Sequence, residues 1–333
     1  MQSKIDCLIA AGNEVLTGPQ YFAASSILAL AKALVARGQR TSILLTDNTV
    51  DTALVTRDSS DGIDIYRSSH TLSSLPSLNL ALGQPRLLVL PNQLADYDIL
   101  RTPGFTATLW LGEDDLAVLG DHSLAVPMRL WADSDHVADR AGQLTQLAVE
   151  TVTPPLGPSP ALADLRVPDA SCVAVVGARP RDGIALTLAL ARQRKDLRFM
   201  VIDWPRLTAT ERQQFFARAA DSGNIDWRRP DGPVAMIAAL AEAGVILVPA
   251  LQPIGDRAWI RQMRLAGRSL LGSDVGAVPA LIGDADCILP ASAPADLWWR
   301  QIDRLRRLPA AALMPDPASS CDAIAARFLT DSA

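Results

Sequence analysis

Two arginines share one short turn, Arg179 and Arg181 in the run VAVVGARPRDG, directly after an apolar, β-branched stretch. Arginine carries a fixed charge on a planar fork of donors, which suits carboxylate or phosphate oxygens. Turns at strand ends concentrate binding side chains, although the same pair would also serve as solvated loop arginines. Further along, Gly255, Asp256 and Arg257 stand where a helix begins. A helix start offers unpaired backbone N–H groups and the positive end of the macrodipole, a seat for an anion. Gly276 lets the backbone turn with positive φ or approach a ligand closely, and Gly177, in the turn after an earlier apolar run, is a further candidate contact to the ligand. Glu113, Asp114 and Asp115 form an acidic turn after another strand-like run. Such a turn supplies a general base or a hydroxyl acceptor, or else it caps the helix that follows.

Other chemistries are poorly supplied. Cys7, Cys172, Cys287 and Cys321 are far apart and lack a C-x-x-C pair, so they read as small buried residues. His70, His122 and His136 have no metal-ligand spacing, and His136 reads as a helix-surface residue. The net charge of -5 gives no overall attraction to nucleic acid or to an anionic membrane. Arg257, Arg261, Arg264 and Arg268 have helical spacing; they read as a solvated face or as a contact to an anionic partner or lipid carrier. Trp298 and Trp299 adjoin on a late helix, one expected in the core and the other as a sugar platform, a partner contact or a partly exposed residue. Glu14 reads as a loop residue or an acceptor contact.

The elements that must position these residues come from the hydrophobic pattern. The 333 residues exceed one ordinary core, and 49% hydrophobic with 20% charged residues describes a globular chain. The first apolar run, IDCLIAAG, is too short for a signal peptide, and no run of about 18 apolar residues exists to span a membrane. The cytoplasm is the expected location, with peripheral attachment at the inner membrane face as an option. Short β-branched runs alternate with helical patterns, the signature of parallel sheets covered on both faces. IDCLIAAG, TSILLTDN, RLLVLP and TATLWLG are predicted strands, and YFAASSILALAKALVARG is a predicted helix ending at Gly38. MRLWADSDHVADRAG reads as a strand end and an Asp/Ser-capped helix. Residues 156–170 are Pro-rich and aperiodic, a predicted linker between a domain at 1–155 and another at 171–333. The second series reads CVAVVG, RFMVID, VILVPA, SLLGSD and DCILPA as strands, with helices between them and Thr210 as the cap of TERQQFFARAADSG. Two α/β domains would face each other across a cleft, with ligands at the carboxyl ends of the strands.

The order of these elements resembles the GT-B glycosyltransferases, in particular the large retaining family of bacterial polysaccharide transferases. GPQYFAASSILALAKALVARGQRTSILLT looks like that family's opening, and RLWADSDHVADRAG like its v-x-x-S-e-x-x-x-d segment. VTPPLGP looks like v-i-P-N-G-v, and VAVVGARPRDGIALTLALA like f-v-G-R-l-x-x-x-K-G. The run from Val245 to Pro290 looks like the donor region, which ends in d-v-G-G-v-P-E. The resemblance implies two Rossmann-like domains, the first for the acceptor and the second for a nucleotide sugar, with the last helix returning to the first domain. It implies retaining, metal-independent transfer of a sugar to a glycan, a lipid carrier or a small acceptor, with the nucleotide-diphosphate sugar as donor and no permanent cofactor. Arg179 and Arg181 would then stabilise the departing diphosphate, helped by the helix start at Gly255 to Arg257. Gln262, Asp274 and Gly276 would position the nucleoside.

This chain departs from the pattern at its site. Ile254 and Gln262 stand where the family carries two glutamates with seven residues between them, so one acceptor is lost and the other uncharged. The Gly-Arg turn is one residue shorter, Ala280 replaces a glutamate, TGPQ replaces a Gly-Gly turn, and the stretch WLGEDDL holds no histidine. The alternative reading is a degenerate relative that keeps the fold and acts as a binding or assembly partner.

Overall fold

A computed structural model describes residues 5–12, 23–46, 56–60, 62–68, 85–89, 107–119, 128–156, 167–204, 206–255, 258–308 and 320–330. The backbone divides into two compact units, residues 1–157 with 316–333, and residues 158–315.

The first unit is built on an eight-stranded sheet. Its strands are β1 (Cys7–Gly12), β2 (Thr41–Thr46), β3 (Thr56–Ser60), β4 (Ile63–Ser68), β5 (Arg86–Val89), β6 (Ala107–Leu111), β7 (Met128–Ala132) and β8 (Val149–Thr151). They lie in the order β3-β4-β2-β1-β5-β6-β7-β8, all parallel except the edge strand β3, which forms a hairpin with β4. Every residue of β6 is buried, which is why the strand reads as a continuous apolar run. Helix α1 (Ala23–Ala36) connects β1 to β2, α2 (Leu116–Leu119) follows a 3-10 turn after β6, and α3 (Asp135–Thr145) follows β7. The Ser134 hydroxyl accepts from the Val137 N–H and caps α3, as expected from the sequence.

The second unit carries β9 (Asp169–Val176), β10 (Arg198–Ile202), β11 (Ile225–Arg228), β12 (Ala243–Val248), β13 (Ser269–Ser273) and β14 (Ile288–Leu289). Their order, β11-β10-β9-β12-β13-β14, is the doubly wound order of nucleotide-binding sheets, and every pairing is parallel. The helices are α4 (Ile184–Gln193), α5 (Ala209–Ala219), α6 (Pro233–Ala241), α7 (Ala258–Leu265), α8 (Val278–Ile282) and α9 (Ala295–Leu305). Helix α5 is capped by Thr208 rather than Thr210, in a reciprocal box with Glu211. Thr210 lies inside the first turn, where its hydroxyl cannot reach back to the first N–H groups. Trp298 and Trp299 on α9 are both buried, at 0% and 9% exposure, so neither is an open platform. Trp299 donates from Nε1 to Gln193 Oε1 at 2.7 Å, with the Arg194 guanidinium 5.1 Å over its ring.

The last helix, α10 (Cys321–Thr330), belongs to the first unit. Ile324, Ala325 and Phe328 join a core with Ile27, Leu30 and Leu34 of α1 and with Trp110 and Trp131. Polar contacts fasten its length: Arg37 pairs with Asp322 at 2.9 Å, Arg86 donates to the Leu329 carbonyl, and Arg327 pairs with Glu150.

The row of arginines does not form one helical face. Helix α7 ends at Leu265, and Gly267 turns the chain at φ +68, so Arg268 lies off the helix and is 7% exposed. Arg264 donates to the Leu281 carbonyl at 3.2 Å. Arg257 lies outside the described residues. Among the described residues, no helix is long and apolar enough to cross a membrane.

Candidate functional site

In the second unit the strand order reverses between β9 and β12, and the carboxyl ends of these strands form the topological switch point where such sheets bind ligands. The turn after β9 is tightly specified. Gly177 has φ +89, and a Cβ there would lie 2.4 Å from Asp182 Oδ2. The room it leaves is filled by the Asp182 carboxylate, which accepts from the Arg179 N–H at 2.9 Å; burial pushes this carboxyl above its ordinary range. Gly183 closes the turn at φ +77 and lies against Pro249, just past β12. The Leu251 N–H donates to the Arg181 carbonyl at 2.8 Å and joins the two strand-end segments.

This frame places Arg179 and Arg181 on the wall of an open depression of about 570 Å³, with Pro180, Glu211 and Gln252 completing the lining. The two arginines differ in commitment. Arg179 donates from Nε to Glu211 Oε1 at 2.9 Å and from Nη2 to Oε2 at 3.4 Å and to the Arg206 carbonyl at 3.1 Å. Arg181 is 52% exposed, with its Nε 3.8 Å from Asp182 Oδ1. Glu211 and Gln252 were not singled out by the sequence. The T-x-x-E spacing of Thr208 and Glu211 announces a capping box, but a carboxylate reaching from that box to a turn 32 residues earlier has no local signal.

The remaining candidates spread around this edge of the sheet. Gly255 lies in the segment after β12, while Asp256 lies, like Arg257, outside the described residues. Gly276 turns the chain at φ +57, and a Cβ there would meet Pro253 Cβ at 3.1 Å, so the turn after β13 packs on the segment after β12. Ser273 ties the same segments, donating to the Ala250 carbonyl at 2.7 Å. Asp274 is exposed but structural: its Oδ1 accepts from the Ala291 N–H at 2.8 Å, and its own N–H donates to Leu289. Gln262 on α7 is 4% exposed, and its Oε1 has no hydrogen-bond partner. Gln262 does not line the depression and so does not converge with Arg179 on it, and Ile254 does not line it either.

In the first unit the acidic turn after β6 is a 3-10 turn, Glu113–Asp115. Asp115 is buried and accepts from the Gly112 N–H at 2.6 Å, a capping role. Asp114 occupies the turn's middle position, and its side chain lies outside the described part. Glu113 faces His136, with Oε1 and Nε2 3.5 Å apart, so the start of α3 delivers an imidazole to the end of β6. WLGEDDL itself has no histidine; one arrives from the next strand-helix unit. His70, His122, Glu14 and the TGPQ turn lie outside the described residues. Among the described residues, no group of three or more His, Cys, Asp or Glu is placed to hold a metal ion.

No family model and no curated protein sequence matches this chain. Solved structures do. The chain is similar to sucrose-phosphate synthase from Thermosynechococcus elongatus, with a TM-score of 0.66 and 12% identity over 97% of this chain and 94% of that one. An α,α-trehalose-phosphate synthase (UDP-forming) from Burkholderia vietnamiensis matches at TM-score 0.61 and 12% identity, over 97% and 94% of the two chains. The catalytic domain of starch synthase IV from Arabidopsis thaliana, bound to ADP and acarbose, matches at 0.59 and 9%, over 98% of each. At these identities the likeness establishes the fold alone, and the fold is GT-B, a two-unit α/β architecture.

Proposed function

We propose that the chain is a retaining, metal-independent glycosyltransferase whose second unit binds a nucleotide-diphosphate sugar and whose first unit receives a glycan, lipid-linked or small hydroxyl acceptor. The observation that carries this reading is the open depression at the β9/β12 switch point with Arg179 and Arg181 on its wall. A departing nucleoside diphosphate gathers negative charge as the bond to the sugar breaks. Guanidinium donors at that place stabilise the charge, and electrostatic stabilisation of this kind is the largest single contribution in many enzymes. They also supply fixed cationic charge of the kind a metal ion would otherwise bring.

The step balances without a cofactor. The bond from the sugar's anomeric carbon to the phosphate oxygen breaks, a bond from the acceptor oxygen forms on the same face, and the acceptor proton leaves with the diphosphate. Gly177 lets the chain turn tightly behind Arg179. Gly255, Asp256 and Arg257 would present the segment after β12 to the phosphates. Asp274 and Gly276, on the turn after β13, would receive the nucleoside; Gln262, buried at 4% exposure and off the depression, has no direct part in it. In the first unit Asp114, on the turn that also carries Glu113, would be the acid–base group. The solved relatives support this reading: the trehalose-phosphate synthase is UDP-forming, and the starch synthase domain is bound to ADP and acarbose.

The test is release of nucleoside diphosphate from UDP-, GDP-, ADP- and TDP-glucose in the presence of sugar and polyol acceptors. One donor class is expected to support release, undiminished by EDTA, with a product whose anomeric configuration by proton NMR matches the donor. Replacing Arg179 and Arg181 by alanine is expected to lower kcat by about 100-fold or more, the loss seen when preset donors to a developing oxyanion are removed. Release from none of the donors would contradict transfer and leave a binding role. An inverted product would overturn retention alone.

A further inference from the structure

The arginine expected to meet the diphosphate is already holding an anion. Arg179 makes two contacts to the Glu211 carboxylate, at 2.9 and 3.4 Å, and Glu211 lines the same depression as Arg179 and Arg181. The fork geometry of this contact is the one a phosphate would use. Glu211 is held in place from its other side: its Oε2 accepts from the Thr208 N–H at 2.8 Å and from the Thr208 hydroxyl at 2.9 Å, in the first turn of α5. The Arg179 guanidinium, and then the Thr208 donors, hold the carboxyl down to about 2, so Glu211 is an anion at every working pH.

We propose that Glu211 is the resident counter-anion of the phosphate seat, and that it sets which anions can enter. It lies in the depression as a competitor for Arg179, so a ligand must displace it or share the guanidinium with it. The wall then presents two guanidinium groups against the Glu211 carboxylate, with the Asp182 carboxyl behind the turn that carries both arginines. A carboxylate or a monophosphate gains less in that field than a diphosphate, because part of its attraction to the arginines is offset by repulsion from Glu211 at similar range. A diphosphate carries enough charge to engage Arg181, which is 52% exposed, and to take Arg179 from Glu211. Glu211 thereby filters for the diphosphate over monophosphates and carboxylates, and it holds Arg179 in its working rotamer while the seat is empty. This inference rests on the diphosphate reading of the depression.

Inorganic pyrophosphate is the probe, titrated calorimetrically into the full chain, into Glu211→Gln and into Arg181→Ala. Glu211→Gln keeps the size and the hydrogen-bonding oxygen while removing the charge. It is expected to bind pyrophosphate at least about tenfold more tightly than the unaltered chain, and to narrow the preference over inorganic phosphate. Arg181→Ala is expected to bind about tenfold more weakly. A merely structural role for Glu211 would leave the affinity unchanged or weaker, since glutamine still accepts in the capping box. That result, with binding still dependent on Arg181, would overturn the inference and keep the diphosphate reading. Binding by Glu211→Gln where the unaltered chain binds nothing would support it. Binding by none of the three at millimolar pyrophosphate would overturn both.

Discussion

Gly183→Ala is expected to destabilise the second unit by about 3 kcal/mol or more and to abolish anion binding at the strand ends. Two independent effects combine. The residue sits at φ +77, where a side chain costs on the order of 1–2 kcal/mol. A Cβ there would also lie 1.9 Å from the Pro249 carbonyl oxygen and 2.8 Å from its carbon, both backbone atoms that no rotamer change can move aside. The turn would have to lift from the end of β12 and lose the Leu251-to-Arg181 hydrogen bond that sets the Arg181 backbone. The proper control is Gly223→Ala. Gly223 has φ +69, but nothing lies within 4 Å of the added carbon, so only the conformational penalty applies, about 1 kcal/mol. Urea unfolding of both variants measures the difference. Equal destabilisation would show that the contact with Pro249 does not hold the turn.

The second large effect concerns the first unit. Phe328→Ala is expected to cost about 3–5 kcal/mol, the range for emptying a buried aromatic site. Phe328 is 3% exposed, and its ring meets Trp131 edge-on at 6.1 Å, with Trp110 edge-on to Trp131 at 5.4 Å. The helix that carries it follows the whole second unit in sequence, so this core closes only after the chain returns. Tryptophan fluorescence reports the unfolding directly through Trp110 and Trp131. Asp322→Ala is the comparison. Its ion pair with Arg37 is exposed, with Asp322 at 73%, and such pairs are worth about 0–1 kcal/mol. If Phe328→Ala were no worse than Asp322→Ala, α10 would be a surface strap rather than part of the core.

The parts of the fold that the sequence shows well are those whose burial is two-sided. CLIAAG, TSILLT, CVAVV, RFMVI and AGVILV lie in parallel strands with helices over them, so each reads as an apolar run, with Thr41, Ser42, Thr46 and Arg198 only at the ends. The strands that escaped notice are polar or very short. TRDSS and IDIYRS form the β3–β4 hairpin at a sheet edge, and VET and IDWR are the edge strands β8 and β11, where one side of the ladder is open and polar residues suffice. Their pairing is decided by the neighbouring strand, not by their own pattern.

At the site the divide is different. Gly276 was legible because positive φ leaves a residue-type signature, while Gly177 was legible only as part of a turn after a strand. The arginines of that turn were legible as chemistry, but not their partners. Arg179 pairs with Glu211, and Glu113 meets His136, across separations that only the folded sheet brings together. Periodicity misled where it ran past a helix end: Arg268 keeps the spacing of Arg261 and Arg264, yet Gly267 has already turned the chain toward β13 and buried it. Trp299 misled for a related reason, since its indole N–H finds a partner in Gln193 on a neighbouring helix and needs no solvent.

The most direct test of the central claim is a calorimetric titration of the full chain with UDP, GDP, ADP and TDP, repeated on the Arg179→Ala, Arg181→Ala double variant. Micromolar binding of one nucleoside diphosphate, lost in the double variant, is the predicted result, and it names the donor class. Absence of binding by all four at millimolar concentration, or binding that survives the loss of both arginines, would contradict a donor site at the β9/β12 switch point.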